Sequence, residues 1–398
     1  MRIFIIFIFL ICFVNKMYPQ QDYKGQVLNA SSKNPIPFVN IGILEKGIGT
    51  VSDEEGFFHL PLNNLHIKPT DTLVFSSLGY ETKKILVKEA DIVYADYPKV
   101  ELIPTTYNLN EVVVTDKRVL LVPENIGYAN LGEEVYGYFK DNIALGGELA
   151  TKVVVKSGLR RLDKFTFEVV NNPSDSLLIR VNIYNIDRNL RIPLSNLNKS
   201  NENIVKTITR GERMVSVDLK PYSIFVENDF IIAIELLKIY GESDLGLILA
   251  AVKDFTQEKF NLENNGWTNT IDDGHGSYRR YASQSKWERF TNLNMAYSLE
   301  SSLIVDEKKY NRYLKQSEKR RLAKKFLSGF AILNGKMIAG VEVFNHRTKQ
   351  SVFTNKNGRY KIEGKKGDLI SYFKKGFVNK QFKIKNRFIF NIQLSKTD

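Results

Sequence analysis

Thr50-Val51-Ser52-Asp53-Glu54-Glu55-Gly56-Phe57-Phe58 reads as strand, tight turn, strand. Asp53 closes such a turn by hydrogen-bonding its own backbone, and Gly56 takes the positive φ that ends it. Upstream, Val39, Ile41 and Ile43 alternate with Asn40, Gly42 and Leu44, which predicts a strand with one apolar and one wet face. Downstream, Phe58 and Leu60 resume the alternation. Asp71 to Ser76 reads as another strand, Leu78-Gly79-Tyr80-Glu81 as a turn, and Ile85-Leu86-Val87 as a further strand.

With Gly25-Gln26-Val27, Pro37 to Ile41 and Leu73 to Tyr80 added, these segments resemble the carboxypeptidase regulatory-like domain. That family is a small transthyretin-like β-sandwich found in many secreted and envelope proteins. The resemblance covers about a quarter of the chain. It implies a fold and an extracytoplasmic setting, and little about activity, because such a sandwich is a scaffold. Leu109 to Thr115 resembles the segment that follows this domain in TonB-dependent outer-membrane receptors. The alternating ten-residue segments of a receptor barrel do not recur often enough here, so Val112-Val113-Val114 reads as a strand closing the sandwich edge.

Working outward, Met1-Arg2 followed by the apolar run Ile3 to Val14 fits a signal peptide: it is too short to span a bilayer, and cleavage is expected near Pro19 to Asp22. Cys12 is the only cysteine, and Phe9-Leu10-Ile11 before it lacks the small residue a lipidation site needs. Removal of the signal leaves no cysteine, which excludes disulfides, thiolate nucleophiles and zinc–thiolate sites from the mature chain. No transmembrane segment is expected after that removal. The net charge of +13 is unevenly placed: Asp306 to Asp398 holds 24 Lys and Arg against 7 Asp and Glu, a local +17, and the remainder sums to −4. Such a region attracts an anionic surface, or is simply a solvated lysine-rich face. An exported protein is not expected to bind nucleic acid.

Thr151 to Val305 reads as a larger β domain. Leu177, Ile179, Val181 and Ile183 alternate with Leu178, Arg180, Asn182 and Tyr184; Phe230, Ile232, Ile234 and Leu236 mark another strand. About seven strands without regular intervening helices argue a sandwich or jelly roll. Asp306 to Leu327 carries Tyr310, Tyr313, Leu314, Leu322 and Phe326 near helical spacing among many cations, as in a basic, partly amphipathic helix. The first sandwich then returns in outline: Phe353 to Tyr360 repeats Val51 to Phe58 glycine on glycine, and Asp368 to Gly376 keeps the interval of Asp71 to Gly79.

Few residues stand in a catalytic or metal-binding pattern. Three positions after His59, His66, His275 and His346 stand Leu62, Pro69, Tyr278 and Lys349, so the His–Glu pair of a zinc carboxypeptidase is absent. His275-Gly276-Ser277 near Asp272 and Asp273 is the one local group suited to a serine hydrolase, and no Gly-x-Ser-x-Gly elbow accompanies it. Asn264 to Trp287 is the most site-like stretch. Its Trp267, Tyr278, Arg279, Arg280, Tyr281 and Trp287 suit sugar or peptide recognition, and equally suit a plug at the end of the sandwich.

The expectation is an all-β chain: two small transthyretin-like or Ig-like sandwiches flanking a larger jelly-roll-like sandwich, with a short helical linker. Its parts are residues 1–20 (signal), 21–115 (first sandwich), 116–150 (linker), 151–305 (middle domain), 306–327 (basic helix) and 328–398 (second, divergent sandwich). The expected role is non-enzymatic binding or scaffolding in the periplasm, at the outer membrane or on the cell surface. Its partner is an envelope glycan or protein, with no cofactor and no metal. The alternatives are a hydrolase centred on the middle domain and an accessory part of a TonB-dependent uptake system.

Overall fold

The structure, a computed structural model, describes residues 22–62, 67–93, 98–105, 119–130, 132, 134–139, 145–187, 189–241, 245–253, 258–261, 266–269, 276–290, 293–322, 325–385 and 388–397. The signal-like segment, Leu109 to Thr115 and His275 lie outside them. The described chain is all-β, its strands arranged in several sheets with two short helices. It divides into two units, Met1–Glu307 and Lys308–Asp398.

The first unit opens with β1 (Tyr23–Asn29), β2 (Asn40–Ile43), β3 (Ile48–Val51), β4 (Phe57–Leu60), β5 (Thr72–Ser76), β6 (Lys83–Leu86), helix α1 (Val87–Val93) and β7 (Lys99–Leu102). Sheets β4-β1-β7 and β3-β2-β5-β6 enclose a core that includes Val27, Val39, Ile41, Ile43, Leu60, Phe75 and Val100. The expected turn is present: Asp53 Oδ1 accepts the backbone N–H of Glu55 (3.0 Å) and Phe57 (2.8 Å), and Gly56 has φ 75°. Val87 opens α1 rather than continuing the strand.

The second half of that unit contains β8 (Leu120–Gly127), β9 (Val135–Tyr138), β10 (Glu148–Val153), β11 (Arg160–Asn171), β12 (Ser176–Ile186), β13 (Pro193–Asn196), β14 (Val205–Thr209), β15 (Met214–Asp218), β16 (Phe225–Val226) and β17 (Phe230–Tyr240). It continues with β18 (Ile248–Lys253), β19 (Glu258–Asn261), β20 (Gly266–Asn269), β21 (Ser277–Arg280), β22 (Glu288–Phe290), β23 (Leu293–Met295) and β24 (Ser298–Val305). One sheet runs β13-β12-β17-β10-β21-β22 with β14 on β12; the other runs β23-β18-β11-β24-β8 with β15 and β16 on β11 and β9 on β18. Between them lies a core including Phe165, Phe167, Ile179, Val181, Ile232, Ile234, Leu249 and Tyr297. Each such side chain fully buried contributes roughly 1.5–3 kcal/mol. Residues 116–150, expected as a linker, carry β8, β9 and the start of β10. Their glycines and polar residues mask the alternation, and β8 is held by its eight-residue pairing with β24.

The second unit contains nearly all of α2 (Glu307–Leu322), then β25 (Phe326–Leu333), β26 (Lys336–Met337), β27 (Glu342–Asn345), β28 (Gln350–Phe353), β29 (Arg359–Glu363), β30 (Leu369–Phe373), β31 (Lys380–Lys383) and β32 (Ile392–Gln393). Its sheets are β26-β25-β29, with β32 parallel on β25, and β28-β27-β30-β31. The strand order of the latter matches β3-β2-β5-β6.

Candidate functional site

β12, β17, β10 and β21 lie side by side, and their register puts four charged residues in one row. Arg180 faces Glu235, Glu235 faces Glu148, and Glu148 faces Arg280. Period-2 geometry sends Ile179 and Val181 into the core and Arg180, Asn182 and Tyr184 to the opposite face. That face is covered by the first sandwich, so both carboxylates have no solvent exposure.

Donors are unequally shared along the row. Glu235 receives Arg180 through two parallel bonds (Nε to Oε2 2.8 Å, Nη2 to Oε1 2.9 Å) and Asn182 Nδ2 at 2.6 Å. Glu148 receives Nη2 of Arg280 and lies 3.0 and 3.1 Å from the Tyr184 hydroxyl. Burial alone would raise both carboxyls. At Glu148 burial wins over the Arg280 guanidinium, the Glu235 charge adds to it, and the group is pushed up to about 7. At Glu235 the paired Arg180 outweighs burial and holds the carboxyl below its ordinary value. The same desolvation pushes the Tyr184 phenol well up. The row is therefore fully ionic at one end and titratable near neutrality at the other.

The row also anchors the first sandwich. Arg180 Nη1 donates to Phe38 O (2.9 Å) and Nη2 to Asn40 Oδ1 (3.0 Å). Ser283 Oγ donates to Asn40 Oδ1 (3.1 Å), Gln284 Nε2 to Ser76 Oγ (2.8 Å), and the Glu45 N–H to Gln284 O (2.8 Å). Val51 packs with Leu178 and Leu237. The face of β2 expected to be wet is thus an internal interface, and glycine is there for space. A Cβ on Gly49 would stand 2.5 Å from Ser283 O, one on Gly42 closer still, and one on Gly146 would overlap Ser283 Oγ. Phe38, Glu45 and Gln284, all at this junction, hold the left-handed backbone at φ 55°, 60° and 63°, a strain the dense contacts maintain.

Beside the junction opens a cleft of ≈ 480 Å³. Asn40, Ser76, Ser77, Tyr80, Thr82, Lys84 and Gln284 form part of its wall; Arg180, Asn182, Tyr184, Asn196, Asn203 and Arg280 form another part. Arg280 Nε is buried and finds no hydrogen-bond acceptor among the described residues. A larger groove of ≈ 640 Å³ is lined by Lys152, Asp187, Glu227, Asp229 and Tyr278. Within it Lys152 pairs with Asp229 at 2.9 Å, and Asp229 also accepts the Val155 N–H at 2.9 Å. Among the described residues, no group of three His, Cys, Asp or Glu is placed to hold a metal, and no helix is long and apolar enough to cross a membrane.

The six residues singled out from sequence separate into two groups and one outlier. Tyr278 and Arg280 share one face of β21, and Arg280 lies over Trp287 (5.1 Å), which meets Tyr184 edge-on at 6.0 Å. Arg279, on the opposite face, lies over Tyr138 (4.8 Å), Tyr281 (5.6 Å) and Phe290 (5.7 Å). Trp267 lies on β20, whose Phe260↔Trp267 register defines a two-stranded hairpin with β19. Sequence reading missed Glu148, Glu235 and Arg180. The available signal was a set of charges inside otherwise apolar strands, such as Glu235 in Phe-Ile-Ile-Ala-Ile-Glu-Leu-Leu.

Residues 23–114 match the CarboxypepD_reg-like domain, so the chain carries a domain of that family at its start. No curated protein matches the chain. Among solved structures, the cysteine protease and lectin-like domains of a surface layer associated protein of Clostridium difficile align at 11% identity and TM-score 0.28, over 64% of this chain and 46% of that one. The major pilin subunit of Bacillus cereus aligns at 10% identity and TM-score 0.16, over 95% of this chain and 100% of that one. Likenesses at these scores carry no argument about function.

Proposed function

We propose that the chain is an exported, non-enzymatic binding or scaffolding protein of the cell envelope, and that it holds a polar ligand in the cleft between the first sandwich and the β12-β17-β10-β21 sheet. The ligand class is an envelope glycan or a peptide segment of a protein partner. The observation that carries this reading is the composition of the cleft. Amides, hydroxyls and cations converge on it, held in place by the buried charge row and by the docked sandwich. Preorganised donors and acceptors of this kind select hydroxyl-rich or peptide ligands without bond chemistry. The carboxypeptidase regulatory-like domain itself is a non-catalytic module, which fits a binding role. The matching turns and strand order of the two small sandwiches support an origin by internal duplication.

Binding of the full chain to an array of envelope glycans, lipopolysaccharides and peptides tests the proposal. The expected result is binding that falls at least tenfold in Lys84→Ala and in Asn196→Ala, both on the cleft wall. Binding indifferent to both substitutions overturns the assignment of the cleft. Hydrolytic turnover that disappears in His275→Ala overturns the non-enzymatic reading. Cell fractionation that finds the protein in the cytoplasm overturns the envelope assignment.

A further inference from the structure

The outward faces of β3-β2-β5-β6 and β28-β27-β30-β31 are built on one register. On the first, Asn40 stands across from Val51 and Ser76, and Gly42 from Gly49 and Val74. On the second, Glu342 stands across from Phe353 and Phe373, and Phe344 from Ser351 and Ser371. The β2-β3 part of the first face is engaged within its own unit. Its small residues admit Ser283, its Val51 meets Leu178 and Leu237, and its central Asn40 accepts a guanidinium.

The second face carries rings where the first has small side chains. Phe353 is 65% exposed and Phe373 50%, on either side of Glu342, whose carboxylate accepts Ser351 Oγ at 2.5 Å. The opposite outer face of the same sandwich is finished differently for water. There Lys361 lies over Phe326 (4.6 Å) and Arg359 over Phe330 (5.9 Å). Two open rings flanking a carboxylate on a sheet face are the pattern of an anchor pair around a polar centre, and burying them is favourable in proportion to their area.

We propose that the β28-β27-β30-β31 face docks an acidic protein partner, one with a hydrogen-bond donor at its centre, arginine by preference, and carboxylates at its rim. The donor is required by Glu342, which occupies the position where Asn40 accepts Arg180. The acidic rim is required by the charge of the region, 24 cations against 7 anions: Lys375 is exposed two residues from Phe373, and Lys349 and Lys383 are exposed at the other end of the same sheet. Glu363 and Asp368 offset them by only one charge, because both pair with Arg347. A second copy docked through its own 306–398 region would bring like charges together. An anionic membrane would press phosphates against Glu342, so neither complements the face.

The test is site-specific photo-crosslinking of the full chain in its native host, with the crosslinking residue at Phe353, Phe373 or, as a control, Phe326. The expected result is one acidic protein, captured from the first two positions and not from the third. That protein, once purified, binds the full chain with an affinity that drops at least thirtyfold in Phe353→Ser/Phe373→Ser and at least tenfold in Glu342→Lys, and weakens with salt. All these positions are exposed or half-buried, so unchanged urea midpoints confirm that the variants fold. Crosslinks to a second copy of the chain, no crosslink, or affinity indifferent to Glu342→Lys overturns the proposal. So does ring-dependent co-sedimentation with phosphatidylglycerol vesicles, which transfers the face to a lipid surface.

Discussion

The two small sandwiches agree in their turns and part company on one outer face. Ser52 Oγ accepts the Val39 N–H (2.8 Å) and donates to Ile36 O (3.2 Å); Thr354 Oγ1 accepts the Val341 N–H (2.9 Å) and donates to Ile338 O (2.8 Å). Asn355 Oδ1 takes the N–H groups of Asn357 and Arg359, both at 3.0 Å, as Asp53 takes those of Glu55 and Phe57, and Gly358 has φ 70° against 75° at Gly56. Asp71 and Asp368 each accept the backbone N–H three residues upstream. Polar side chains that close turns by local hydrogen bonds have one solution for one backbone. Outer faces answer to whatever they meet: glycine and asparagine where Ser283 and Arg180 press close, phenylalanine where the face stands open.

The largest test of this contrast is Glu235→Ala, which strands Arg180 beneath the docked face. Leaving one member of a buried pair uncompensated costs about 3–5 kcal/mol, read as a lower urea midpoint. Arg180→Met/Glu235→Leu should recover most of that loss in the sheet while loosening the first sandwich, because Phe38 O loses its Arg180 donor and Asn40 Oδ1 keeps only Ser283. Limited proteolysis at the junction reports the loosening, and a double variant as weak as the single one would break the assignment.

Glu148 supplies the pH arm. Its folded value of about 7 lies above the ordinary 4.5, so the folded state holds a proton the unfolded chain has released. Stability therefore falls as pH rises from 4.5 to 7, on the order of 3 kcal/mol at 1.36 kcal/mol per unit. Glu235 has the opposite sign, its contribution being lost only as pH falls through its depressed value. Glu148→Gln should flatten the decline between pH 5 and 7.5. Parallel profiles for the variant and the parent would refute the placement of the proton.

Ser52→Ala and Thr354→Ala each orphan a buried N–H, at Val39 and at Val341, for about 1–3 kcal/mol. Equal losses by calorimetry would sharpen the parallel between the sandwiches, and a loss confined to one would break it. Gly49→Val and Ser351→Val occupy matching positions on the two faces. The first forces a side chain onto Ser283 at about 1–3 kcal/mol, whereas the second should stay within about 0.5 kcal/mol. Equilibrium unfolding of both variants checks the difference.

What the sequence determined unaided was local. Asp53 and Gly56 announce a turn because the side chain and the positive φ act within four residues, and alternation in β2 and β12 names the core-facing residues for the same reason. The family resemblance over the first sandwich rests on these same segments. Tertiary structure decided the rest. Arg180, Glu148, Glu235 and Arg280 meet only through strand register across β12, β17, β10 and β21, and a polar residue alternating with apolar ones looks the same whether water or another domain covers it. β8 carries no strand signal in its sequence because its half-buried, proline-containing run has no clear apolar period and is defined by pairing with β24. Trp287, Tyr278 and Arg280 came together while Arg279 turned away, since neighbours on a strand point to opposite faces and only the placed sheet says what each face meets.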